Sequence, residues 1–217
     1  MKELSKQTLL KLSVVSIDNA TALVEEAETL LSAEHFARAY FLAVAAIEEV
    51  GKSALAFGAA GRNVADRQVL KKTWSNLLDH KSKIIAAFGP SLSLTQRENM
   101  KEALDTSLEL MGSLRRGREP SMYTDVLPDG SIQSPKDLVR PVAACDAVCL
   151  AQHCLARAKQ HQANNEPAST TAASDFFYTL SSSKIQEIMG QELRFPHISS
   201  WQINHLRRNC LEESARM

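Results

Sequence analysis

Apolar side chains recur at three- and four-residue intervals almost from the start of the chain. That is the period of an amphipathic helix, and no strand-like alternation persists anywhere. Leu9, Leu10, Leu12, Val15, Ile17, Ala20, Leu23, Val24, Ala27 and Leu30 predict a first helix from Gln7 to Leu31. The break at Ser32-Ala33-Glu34 is short, so the second helix, ending near Phe57, returns antiparallel to the first. A third is expected from about Asp66 to Phe88, stopped by Gly89-Pro90. A fourth, capped by Ser93 or Thr95, runs to about Leu114. After an irregular stretch with a tight turn at Asp129-Gly130, a fifth spans from near Ser134 to about Gln160. Small polar residues over 162–174 read as a linker. Beyond it, Phe176 to Gln191 and Ser199 to Ala215 are further helical candidates. The pattern predicts an all-α fold: an antiparallel helical bundle over 1–161, the linker, and a C-terminal helical extension over 175–217.

The second helix is the unusual one. It is rich in alanine, and Phe36, Tyr40, Val44, Ile47 and Leu55 make it apolar around most of its circumference, as a central helix must be. Yet at roughly 100° per residue Arg38, Leu42, Ala45, Glu49 and Lys52 form one stripe, with Glu48 at its edge. On a surface helix the Glu48/Lys52 and Glu49/Lys52 spacings contribute only a few tenths of a kcal/mol. On a buried helix such charges must be paired or belong to a site.

Two further groups carry chemistry. Asp79-His80-Lys81-Ser82-Lys83 sets an imidazole one turn from an ammonium, a general base beside a charge that stabilises an anion. Arg115, Arg116 and Arg118, followed by Tyr123 and Asp125, suit phosphate contact and base stacking.

Composition narrows the classes. Lys+Arg and Asp+Glu number 25 each, so the general electrostatic footprint of a nucleic-acid binder is missing. The longest apolar candidate, Phe41 to Phe57, is interrupted by Glu48, Glu49 and Lys52, and no secretory signal opens the chain. A soluble, cytoplasmic protein without membrane contact is expected. Cys145, Cys149 and His153 share a helical face, but Cys145 and His153 are separated by about 12 Å along the axis. One zinc ion cannot take all three, so these cysteines are expected to be buried structural thiols, with no metal and no cofactor. No Gly-rich phosphate loop, His-Glu-x-x-His signature or Gly-x-Ser-x-Gly elbow is present.

In order and spacing, Ala39-Tyr40-Phe41-Leu42-Ala43 with Glu48-Glu49-Val50-Gly51-Lys52, then Asp79 to Lys83, then Met122-Tyr123-Thr124-Asp125 resemble the AbiV family of bacterial abortive-infection proteins. That family is similar to the HEPN superfamily of helical-bundle nucleases and nucleotide-binding proteins. The resemblance spans about Ser5 to Gln160. It implies a HEPN-like bundle and phage defence by arrest or death of the infected cell. It also implies a polar site at Glu48, Glu49, Lys52, His80 and Lys83 and along the loop from Arg116 to Tyr123, Arg118 included.

Two functions follow from different classes. In a metal-independent endoribonuclease, His80 moves a proton, while Lys83, Lys52 and Arg116 stabilise charge on phosphorus. Glu49 then orients Lys52 or His80, and Tyr123 stacks on a base; two protomers are expected to pair as a homodimer. In a non-catalytic effector, the bundle engages the translation machinery or a phage protein. Nuclease members of the superfamily carry Arg, four to six residues, then His; here Arg157 and His161 have three between them. In either case Glu49 and Lys52 are expected to face His80 and Lys83, with Arg116 or Tyr123 closing the cleft.

Overall fold

The computed structural model describes residues 3–93, 95–181 and 184. Ser5 caps α1 (Lys6–Ser32) by accepting the Thr8 amide at 3.0 Å. Glu34, at φ 60, turns the chain sharply into α2 (Phe36–Ala59). α2 is the central helix, as its apolar circumference requires: α1, the later helix α8 (Pro141–Asn164) and α4 (His80–Ala87) all pack on it. Ala39, Ala43 and Ala46 are fully buried beside Val44, Ile47 and Val50. Their small side chains let α1 and α8 approach closely, bringing Ile17, Val24, Val148 and Leu155 into one core. Near the other end of α2, Ser53 Oγ donates to the Ser13 carbonyl at 2.8 Å and accepts from Gln162 Nε2 at 2.8 Å. Three helices are thus tied through one buried hydroxyl.

The expected third helix is two. α3 (Arg67–Leu78) ends at Asp79, whose backbone is extended (φ −80, ψ 120). The Asp79 carboxylate accepts the Ser82 amide at 2.8 Å and the Ser82 hydroxyl at 2.7 Å, capping α4. A side chain that satisfies the next helix's free amides competes with continuation of the old one. Gly89-Pro90 does not stop the chain in a loop but opens the one-turn helix α5 (Gly89–Ser93). A 3-10 turn at Arg97–Asn99 then leads into α6 (Met100–Gly117).

After α6 the irregular stretch contains a minimal antiparallel pair, β1 (Asp125–Val126) with β2 (Ile132–Gln133), turned by Gly130 at φ 81. The expected fifth helix is divided into α7 (Pro135–Leu138) and α8. Arg140, preceding Pro141, sits at ψ 150, because proline disfavours a helical residue before it.

The stretch 162–174, expected as a linker, comprises the end of α8, an extended run and the start of α9 (Ala172–Thr179). It lies against the end of α2. The Thr170 amide donates to the Gly61 carbonyl at 3.1 Å, and a Cβ on Gly61 would meet the Ala168 carbonyl oxygen at 2.0 Å. Asp175 accepts from Arg62 Nη1 at 3.0 Å, the Asn63 amide at 3.1 Å and Thr170 Oγ1 at 2.8 Å. Burial pushes the Asp175 carboxyl up, but those donors outweigh it and hold it below the usual range. The compact unit that holds the bundle runs to Tyr178; the candidate helix Ser199 to Ala215 lies outside the described residues.

The cysteines differ from expectation. Cys145 and Cys149 are exposed, while Cys154 is buried and its thiol is pushed up to about 12 by burial. The α8 face that carries the first two looks outward because Ala144, Ala147, Val148 and Ala151 occupy the inner one. Cys210 lies outside the described residues.

Candidate active site

The site is built around Glu48. At residue 51 of α2 a Cβ would lie 1.7 Å from the Lys83 carbonyl oxygen. Only glycine permits that approach of two backbones, and it draws the first turns of α4 onto α2. Gly51 is one turn beyond Glu48, so the two share a face of the helix.

Glu48 is 5% exposed. His80 Nδ1 lies 2.6 Å from its Oε2, and Lys83 Nζ lies 3.2 Å from the same oxygen. Arg118 Nε reaches Oε1 at 2.7 Å. The Arg118 contact lacks hydrogen-bond alignment, so it acts as a charge contact rather than a directed bond. The guanidinium also lies 5.8 Å from the Phe41 ring centroid. One carboxylate thus meets an ammonium, a guanidinium and an imidazole. Local charge is positive even with the imidazole neutral.

Exposure separates the partners. The Lys83 side chain is 10% exposed and that of Arg118 24%, whereas His80 is 57% exposed. The carboxylate, fixed by two buried or half-buried cations, orients a ring that stands open to solvent. A hydrogen bond at Nδ1 selects which ring nitrogen is left for other chemistry.

Other sequence-predicted residues lie elsewhere. Glu49 and Lys52 pair with one another on a half-buried face of α2, so Glu48, not Glu49, receives His80 and Lys83. The reason is angular: the polar stripe faces partly outward, and its edge residue turns toward α4. Arg118 takes the closing position expected of Arg116 or Tyr123. Arg116 lies instead near Tyr40, whose hydroxyl is pushed up by burial and partly drawn back by that guanidinium. Tyr123 is 63% exposed on the loop.

Gly117 explains why Arg118 reaches the cluster. A Cβ there would lie 2.3 Å from the Tyr40 hydroxyl, so the end of α6 settles against Tyr40 and delivers the next residue to Glu48. The sequence did carry a signal for Gly51, inside the predicted second helix. A glycine inside a helix is unfavourable by about 1 kcal/mol relative to alanine and marks a close approach. Among the described residues no three His, Cys, Asp or Glu side chains converge as metal ligands, and no helix is long and apolar enough to cross a membrane.

A family profile described as AbiV, of the HEPN group, matches residues 8–156. The chain belongs to the AbiV family. No curated protein and no solved structure matches it. The matched span contains every member of the Glu48 cluster and ends before α9. The protein is an abortive-infection protein with a HEPN-like, all-α bundle, and within this AbiV chain the cluster is the candidate for chemistry.

Proposed function

We propose that this AbiV-family protein arrests infected cells by cutting RNA in the cytoplasm as a metal-independent endoribonuclease. The observation that carries the reading is the dyad of buried Glu48 and exposed His80, joined at 2.6 Å and flanked by Lys83 and Arg118. Glu48 holds His80 Nδ1, leaving Nε2 to take the proton of a ribose 2′-hydroxyl. The 2′-oxygen then bonds to phosphorus while the bond to the 5′-oxygen breaks. The products are a 2′,3′-cyclic phosphate and a 5′-hydroxyl, whose proton comes from solvent or from His80. Lys83 and Arg118 stabilise the added negative charge on the phosphorane. Tyr123 stacks on a neighbouring base, while Lys52, Glu49 and Arg116 supply charge outside the dyad. A homodimer, the commonest assembly, would carry two such dyads.

The test is incubation of purified protein with single-stranded RNA in EDTA. Wild type should leave 2′,3′-cyclic ends, and His80→Ala should lose about 10²-fold or more of the rate with its circular dichroism unchanged. Equal cleavage by both proteins, or no cleavage by a wild type that still arrests growth, refutes the reading. The balanced charge, 25 against 25, and the missing Arg–His spacing favour the second reading in that event. There the same cluster only holds helices in register, and the protein binds the translation machinery or a phage protein.

A further inference from the structure

A cavity of about 360 Å³ lies between the start of α2 and α7, bordered by Glu34, His35, Arg38, Ser134 and Lys136. Arg38 and Lys136 are exposed, and among the described residues no carboxylate pairs with either. Arg38 Nη1 instead donates to the Met122 thioether at 3.2 Å, a weak acceptor. Two segments distant in sequence therefore bring two cations and one imidazole to one hollow, against Glu34 in its lining and Asp137 at its edge, whose carboxylate accepts from the Ser134 hydroxyl.

The cavity and the Glu48 cluster are reached by the same helix and the same loop. Arg38 precedes Glu48 by ten positions on one helix, about 15 Å of axial rise. The loop after α6 follows the same course, with Arg118 on Glu48 and Met122 on Arg38. Tyr123, next in sequence, is 63% exposed. Cations at both ends of a loop that presents an exposed aromatic form the pattern by which proteins hold single strands: phosphates on the cations, a base on the ring.

We infer that this cavity is a phosphate subsite for single-stranded RNA, holding the strand a few nucleotides from the bond at His80. The inference rests on the ribonuclease reading for what happens at His80, but strand binding is measured separately. The strand extends from the Glu48 cluster past Tyr123 to Arg38 and Lys136, so the protein takes an extended single strand rather than an isolated nucleotide.

The experiment uses full-length protein carrying His80→Ala, so that the probe is not consumed. The probe is a fluorescent single-stranded RNA of roughly twelve nucleotides, within the span that one single-strand groove covers. Adding Arg38→Ala and Lys136→Ala should weaken binding roughly tenfold or more at low salt. It should also reduce the slope of log K against log salt by about 1.4, from two lost phosphate contacts. Arg38→Lys, which keeps the charge, should retain the slope. Unchanged affinity and slope in the double alanine variant, or no RNA binding by the parent, overturn the subsite. So does growth arrest lost in Arg38→Ala/Lys136→Ala with His80 retained while RNA binding stays intact, which would assign the hollow to a protein partner. If the variants weaken binding while wild type cuts no RNA, the subsite stands and the ribonuclease reading falls. If wild type cuts RNA and the variants bind normally, the reverse holds.

Discussion

Glu48→Gln tests whether the cluster is one electrostatic unit. The change keeps the shape and one acceptor but removes the carboxylate charge that Lys83, Arg118 and His80 share. His80 is 57% exposed and Arg118 24%, so water can take over most of what each loses, about 0–1 kcal/mol apiece. Lys83 cannot be relieved in that way. Its side chain is 10% exposed, and removing one partner of a buried pair costs about 3–5 kcal/mol. Taking the lower end, because Gln still accepts a hydrogen bond, gives ~3 kcal/mol. In a protein of this size that is a fall in Tm of roughly 6–12 °C. Thermal melts followed by circular dichroism measure it. Lys83→Met added to Glu48→Gln should restore much of the loss, since a buried pair replaced as a whole is often neutral. A single variant that melts with wild type, or a double variant at the plain sum of two losses, would refute the coupling.

Gly51→Ala should destabilise the bundle by about 1–3 kcal/mol, because a Cβ 1.7 Å from the Lys83 carbonyl oxygen forces α4 away from α2. Chemical denaturation reads the loss, and an unchanged midpoint would mean that the helices are not held this closely. Asp79→Ala, which removes the cap of α4, should cost ~1 kcal/mol. Hydrogen bonding from the Ser82 hydroxyl, chiefly, holds the Asp79 carboxyl below its ordinary value. Its contribution is therefore present above the unfolded carboxyl's pKa and is lost as pH falls through the lower folded value. The gap between wild type and Asp79→Ala should accordingly be widest near neutral pH and close in acid; a gap that widens in acid would reverse the sign.

The bundle was legible because its core is made of local periodicity. The alanine ladder and the apolar circumference of α2 name the central helix without any knowledge of its neighbours. The site was only half legible. A helical wheel sets Glu48 and Glu49 about 100° apart, and choosing between them requires the direction from which α4 arrives. That direction depends on the break at Asp79, where a carboxylate that caps the next helix also resembles an ordinary polar residue within a continuous one. The three arginines around the end of α6 pointed to the right region, but which of them reaches Glu48 was set by Gly117 against the Tyr40 hydroxyl. Gly51, a glycine inside a predicted helix, was the signal for one half of the missing geometry; the approach at Gly117 is seen only in the structure.

The position of the Glu48 partners along the chain has a consequence for the order of assembly. α1 and α2 are joined by a short turn, so their hairpin closes over few residues and can form early. Glu48 then still faces water, with no penalty for its charge. His80 lies 32 residues further along, and Arg118 more than twice as far. Each loop must close before its partner arrives, and loop entropy is lost before the contact is gained. A nascent chain that has produced only α1 to α5 therefore holds Glu48, His80 and Lys83 without Arg118. The complete charge arrangement belongs only to the chain whose α6 has docked, and until then the Glu48 cluster is unfinished.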